Sequence, residues 1–147
     1  MAKAEGKKRI VVKVGTSTLT HKTGKTNIAR LAKLASVLSD LKNEGHEIVL
    51  VSSGAIAVGW SKLGLSEKPK TVQGLQASAA VGQCELMFLY DKLFSEYTVT
   101  VSQLLFSADT LQNHEEASLQ EILKILEEEA IAIRRIADYQ RKRFCLY

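Results

Sequence analysis

Apolar residues along this chain fall into blocks of two alternating periods. Ile10, Val11, Val12 and Val14 form a short β-branched run broken by Lys13 and stopped by Gly15-Thr16-Ser17, a pattern that predicts a strand and then a sharp turn. Asn27 is placed to cap a helix in which Ile28, Leu31, Leu34, Ala35, Leu38 and Leu41 recur at helical spacing, with Gly45 as its stop. Glu47-Ile48-Val49-Leu50-Val51 predicts a second short strand. It passes directly into Ser52-Ser53-Gly54-Ala55-Ile56-Ala57-Val58-Gly59, whose small and capping residues mark a strand-to-helix junction. Lys68-Pro69-Lys70 breaks the chain, and a long helix is expected from about Thr71 to Tyr90 or slightly beyond, with Ala77, Ala79, Ala80 and Gly82 permitting close packing. Residues 98–106 then predict a third strand.

Strands alternating with helices in this order predict βαβ crossovers and a largely parallel sheet covered on both faces, which makes the fold class α/β. In such sheets ligands collect beyond the carboxyl ends of the strands, where both Gly15-Thr16-Ser17 and Ser52-Ser53-Gly54 are placed. From about Glu115 the pattern changes. Leu119, Ile122, Leu123, Leu126, Ala130, Ile133 and Ala137 mark one helical stripe, with Glu115, Glu116 and Glu121 early and Arg134 and Arg135 late, in the sense that suits a helix dipole. The expected division is therefore a main body at 1–111 and an amphipathic helical tail at 112–147.

Composition narrows the function classes. The chain has 147 residues, 46% apolar and 24% charged, enough for one buried core. No apolar stretch approaches a membrane span, and no signal-type segment follows the basic first residues, so a cytoplasmic location without a membrane partner is expected. The net charge of +4 is spread along residues 1–111, with 14 basic and 9 acidic side chains, against 6 and 7 in the tail. With no aromatic RNA-binding motif, zinc knuckle or helix-turn-helix signature beside it, that excess does not point to nucleic acid. Cys84 and Cys145 are isolated, and His21, His46 and His114 are scattered, so no metal site is expected.

Candidate chemistry sits at the two strand ends. Burying Lys13 within a strand is costly unless an anion meets its ammonium, which makes it a candidate phosphate ligand; the alternative is a lysine snorkelling from an edge strand. Gly15, Thr16 and Ser17 offer backbone N–H and hydroxyl groups to phosphate oxygens. Ser53 is either an acceptor-binding residue or a simple helix cap, and the helix opening after it presents free N–H groups to an anion. Gly24-Lys25-Thr26 resembles the end of a P-loop, but Leu19 stands where that motif needs glycine, so it is set aside. Two anion-holding loops in one crevice suit phosphoryl transfer, in which a protein chiefly positions groups and neutralises charge.

Taken together, Ile10-Val11-Val12-Lys13-Val14-Gly15-Thr16-Ser17, Ile48-Val49-Leu50-Val51-Ser52-Ser53-Gly54-Ala55-Ile56, Ala79-Ala80-Val81-Gly82-Gln83 and Val101-Ser102-Gln103-Leu104-Leu105 resemble the glutamate 5-kinases of the amino-acid kinase family, over about residues 8–109. The resemblance implies a three-layer αβα sandwich. It also implies phosphorylation of the γ-carboxylate of L-glutamate by ATP, with Mg2+ carried on the nucleotide, as the first step of proline biosynthesis, in a homo-oligomer. Carried onto this chain, it makes Lys13 the catalytic, ATP-phosphate residue, Gly15, Thr16 and Ser17 the phosphate-side loop, and Ser53, Gly54 and Ala55 the glutamate pocket.

Departures accompany the match. The family continues after its third strand with an Asn-Ala-Arg helix, a strand leading to Ile-Asn-Glu-Asn-Asp, and a Gly-Asp-Asn-Asp segment, and residues 110–147 carry none of these motifs. The expectation is a truncated kinase domain, its sheet cut after the third strand with a central edge exposed. An inactive half-domain that binds glutamate or pairs with intact subunits is the alternative function.

Overall fold

The computed structural model describes residues 6–106 and the strand at 131–136. In chain order the elements are β1 (Arg9–Val14), α1 (Thr16–Leu19), α2 (Ile28–Asn43), β2 (Glu47–Ser52), α3 (Ala55–Lys62), α4 (Val72–Ser95), β3 (Val101–Phe106) and β4 (Ile131–Ile136). The strands form one parallel sheet in the order β1-β2-β4-β3. The α/β class is thus present in full. The Asn27 cap stands where the sequence placed it, its side chain accepting from the Arg30 N–H at 3.1 Å, and at the start of the long helix Thr71 Oγ1 accepts from the Gly74 N–H at 3.2 Å.

One element corrects the sequence reading. Ile131–Ile136 was expected in the helical stripe of the tail, with Ile133, Arg134 and Arg135 on it, but it is a strand lying between β2 and β3. Ala130, Ile133 and Ala137 fit a helical repeat, while Ile131 and Ile133 fit strand alternation equally well, and so short an apolar run is decided by its tertiary partners. Here Leu50 and Gln103 flank Ile133 in register, and Val51 and Leu104 flank Arg134. The central edge expected after a third strand is therefore filled. The rest of the tail, and with it the 111/112 boundary, lies outside the described residues.

Burial separates the strands by position. β1 alternates between exposed and covered residues, as an edge strand does, whereas Ile48, Val49 and Leu50 of β2 are all buried. On one face Ile10, Val12, Val14, Ile48 and Leu50 pack against Leu31, Ala35 and Leu38 of α2, Ala55 and Val58 of α3, and Leu86, Tyr90, Leu93 and Phe94 of α4. The other face carries the exposed Val11 and Lys13. The expectation of a second helical layer on that face falls on residues outside those described.

The helices α3 and α4 meet backbone to backbone. A methyl group on Gly82 would overlap the Ala55 carbonyl and stand 2.6 Å from the Gly59 nitrogen, and one on Gly59 would overlap the Ser78 carbonyl. Lys62 and Glu85 close the same contact with an ion pair. At the start of the sheet, hydrogen bonds from Lys7 at 3.1 Å and Arg9 at 2.8 Å hold the Glu47 carboxyl below the usual carboxylate range. Lys7 and Arg9 are more than half exposed, so this triad contributes little to stability.

Candidate functional site

The parallel pairing of β1 with β2 brings their carboxyl ends side by side, with Val14 opposite Ser52. One residue further on, Ser53 continues the contact in an unusual way. Its backbone N–H and its Oγ hydroxyl both donate to the Val14 carbonyl, each at 3.1 Å. The two small-residue loops expected from the sequence are thereby joined at one point. Gly54 follows at φ +103° and packs beside Thr16, whose Cα would lie 3.6 Å from a Cβ at that position. The space would accept a methyl group but the backbone would not. Gly54→Ala is expected to cost about 1–2 kcal/mol of stability through its left-handed φ, read as a shift in urea midpoint at constant slope.

Each predicted site residue has a definite setting. Lys13 lies on the exposed face of β1 beside Val51, and among the described residues no hydrogen bond or ion pair engages it. Of the two settings the sequence left open, a buried lysine met by an anion and a lysine on an edge strand, the structure shows the second, because β1 is an edge strand among the described elements. What remains is an ammonium in the open, one residue from the turn. Gly15 is half-buried with nothing within 4 Å of where a Cβ would be, while Thr16 and Ser17 are exposed in the single turn of α1. Arg30 pins that turn by donating from Nη1 to the Ser17 carbonyl at 3.2 Å. Ser53 and Gly54 are half-buried, but Ala55 faces the core at 1% exposure, so its side chain offers a ligand nothing.

Two features of the site escape the sequence. The Ser52 Oγ and Tyr90 Oη are 2.8 Å apart in a buried hydrogen bond between the end of β2 and the C-terminal part of α4. Tyr90 sits in the apolar stripe of its helix, so only the known register of β2 against α4 would have shown its hydroxyl to be paired. Burial pushes the Tyr90 phenol up to about 12, the Ser52 hydrogen bond opposing the shift. An unfolded phenol ionises near 10, so the folded state keeps this contribution below pH 10 and loses it between 10 and 12, by roughly 2–3 kcal/mol in all. Phenolate absorbance titration is expected to show one tyrosine ionising last, and Tyr90→Phe to remove that component.

The second is the segment Thr20–Thr26. Thr20 and Thr26 pair antiparallel, His21 donates to the Lys25 carbonyl at 2.8 Å, and Gly24 at φ +80° lies against the ring of Trp60. Gly24-Lys25-Thr26 is thus a hairpin tip seated on α3, not a phosphate loop after a strand. An open depression lined by Leu65, Ser66, Glu67, Lys68, Pro69 and Lys70 belongs to one loop and gathers no group from either strand end. Among the described residues no cluster of His, Cys, Asp or Glu is placed to hold a metal, and no helix is long and apolar enough to cross a membrane.

The sequence pattern of the amino acid kinase family matches residues 8–134. The chain belongs to that family. It is 58% identical over 106 residues to the glutamate 5-kinase of Clostridium perfringens (strain 13 / Type A), covering 72% of this chain and 39% of that one. Against the glutamate 5-kinase of Lactococcus lactis subsp. lactis (strain IL1403) it is 44% identical over 146 residues, covering 92% and 54%. This chain thus spans about two fifths to one half of the length of those relatives. Among solved structures it is similar to UMP kinase from Ureaplasma parvum, with a TM-score of 0.56 at 15% identity, covering 88% of this chain and 56% of that one. That likeness is one of fold, and it places the sheet in the amino-acid kinase architecture. The family match runs past residue 109 and takes in most of β4. β4 carries Arg134-Arg135-Ile136 and is followed in the sequence by Ala137-Asp138, not by the Ile-Asn-Glu-Asn-Asp that the resemblance implies.

Proposed function

We propose that this chain performs the phosphate-holding and acceptor-holding work of a glutamate 5-kinase, transferring the terminal phosphoryl group of ATP to the γ-carboxylate of L-glutamate. The observation that carries the reading is the double hydrogen bond from Ser53 to the Val14 carbonyl, which sets the two anion loops beside one another. Identity of 58% to a protein named glutamate 5-kinase supports glutamate as the acceptor. In the transfer, an oxygen of the γ-carboxylate forms the new bond to phosphorus. The bond to the bridging oxygen breaks, and ADP leaves with that electron pair. No proton has to move and no protein nucleophile is needed, so the residues act by position and charge.

Lys13 meets the phosphate oxygens as negative charge gathers on the leaving group, and the Gly15–Ser17 turn supplies N–H and hydroxyl donors to the same oxygens. The open space around Gly15 and the uncommitted ammonium of Lys13 fit a polyphosphate. Mg2+ would be held by the phosphates themselves and would neutralise their charge. Because the Ser53 hydroxyl donates to Val14, its lone pairs can only accept, from the α-ammonium of glutamate, and the carboxylates are left to the Gly54 N–H and the first N–H groups of α3. We place the reaction in the cytoplasm, in proline biosynthesis, and in a homo-oligomer.

A second reading is favoured by one observation. β4 ends in Arg134-Arg135-Ile136, where the resemblance leads to acidic and amide residues, so a half-domain that binds glutamate without turnover, or pairs with intact subunits, fits that strand. Glutamate-dependent ADP formation by the purified chain with Mg-ATP decides between them. Turnover supports the kinase; glutamate binding with no ADP formed, in folded protein, supports the half-domain.

A further inference from the structure

Ser52 is the last residue of β2, and its ladder is one-sided there: Val14 pairs with it from β1, whereas the register with β4 ends one residue earlier at Val51 and Arg134. The backbone therefore leaves the turn that follows loosely specified on one flank. On that end the Tyr90 hydroxyl reaches Ser52 Oγ at 2.8 Å, and the same oxygen contacts the Ser53 carbonyl at 3.4 Å. Tyr90 is itself fixed. It is 1% exposed, its ring packs 6.3 Å from that of Phe94, and it rides on a helix locked to α3 by the Gly59–Gly82 contact.

We propose that Tyr90 is the positioning residue of the candidate site, holding the Ser52–Gly54 turn, and through Ser53 the Val14–Gly15 turn, in the geometry that ligands meet. This rests on the reading of Ser53 and Gly54 as the acceptor loop. Tyr90 touches no substrate. Its hydroxyl would be costly to bury unpaired, so Ser52 is held to it as firmly as it is held to Ser52. A hydrogen bond joins Tyr90 Oη to Ser52 Oγ, the peptide backbone carries the link on to Ser53, and the Ser53 N–H and Oγ donate to the Val14 carbonyl, so the helical layer is tied to both loops.

Amide hydrogen exchange, followed by NMR on the unliganded chain, tests the device directly. Tyr90→Phe keeps the ring and deletes the hydroxyl; the Ser53 N–H is then expected to exchange about tenfold faster, with Val12 and Leu50 of the strands changed by less than about twofold. Ser52→Ala should have the same selective effect, and the double variant no more than the larger single one. Phe94→Leu serves as the control, lowering global stability without singling out Ser53. Uniform acceleration in Tyr90→Phe, or none at Ser53, overturns the proposal. Titration with L-glutamate adds the functional arm, with Tyr90→Phe expected to bind about tenfold more weakly than wild type; selective exchange with unaltered affinity also overturns it. If the wild-type chain binds no glutamate, the kinase reading fails on that arm, and exchange at Ser53 still decides the fate of the turn.

Discussion

Gly82→Ala is expected to destabilise the protein by at least about 3 kcal/mol, a large share of the roughly 5–15 kcal/mol that holds a domain together. The new methyl group would overlap the Ala55 carbonyl and press on the Gly59 nitrogen, and all of these atoms are backbone. No rotamer change can relieve such a clash. The helices α3 and α4 would have to separate, which would pull Ala55 and Val58 away from Leu86 and Tyr90 in the core. Gly15→Ala is the matched control, since Gly15 has φ −83° and open space around it, and its unfolding midpoint should barely move. Urea unfolding followed by far-ultraviolet circular dichroism separates the two. If Gly82→Ala unfolded at the wild-type midpoint, the backbone contact between α3 and α4 would be wrong.

Lys13→Ala is expected to lower glutamate-dependent ADP formation by about 10²- to 10³-fold, the usual loss when one donor to developing charge is removed. L-Glutamate affinity should stay within about twofold, because Lys13 is on β1 and the acceptor loop is on β2. Stability should not fall, since the side chain is exposed and the described residues give it no partner. Steady-state kinetics beside a glutamate titration and a thermal melt reads all three. Equal loss of turnover and glutamate affinity would contradict the assigned role. Lys13→Arg keeps the charge but replaces a compact ammonium with a longer planar fork, and is expected to recover only part of the turnover.

Local pattern carried much of the fold. The Asn27 cap, the start of α4 after Lys68-Pro69-Lys70, the β2 run and its small-residue junction are local features, and residues distant in sequence are not needed to read them. β4 was not legible in that way. Six residues containing three isoleucines and two arginines satisfy either period, and only their insertion between β2 and β3 made them a strand. The site divides likewise. Strand ends bearing glycine and serine announced two anion loops, but that Ser53 spends both donors on Val14, that Ala55 turns into the core, and that Tyr90 reaches Ser52 all depend on register and packing. For Lys13 the apolar neighbours are consistent with either a buried or an edge strand, and the structure shows the second: β1 has one covered face and Lys13 lies on the other.

The hairpin seated on α3 has a use that lies outside stability and chemistry. Trp60 is the single tryptophan of the chain, and its ring rests on Gly24. Selective excitation of indole fluorescence therefore reports on one place only, the seating of residues 20–26 beside the turn that Arg30 pins at Ser17. Any movement of the hairpin off α3 would shift that emission to the red as water reached the ring, so the protein carries its own optical probe a few residues along the chain from the Gly15–Ser17 turn.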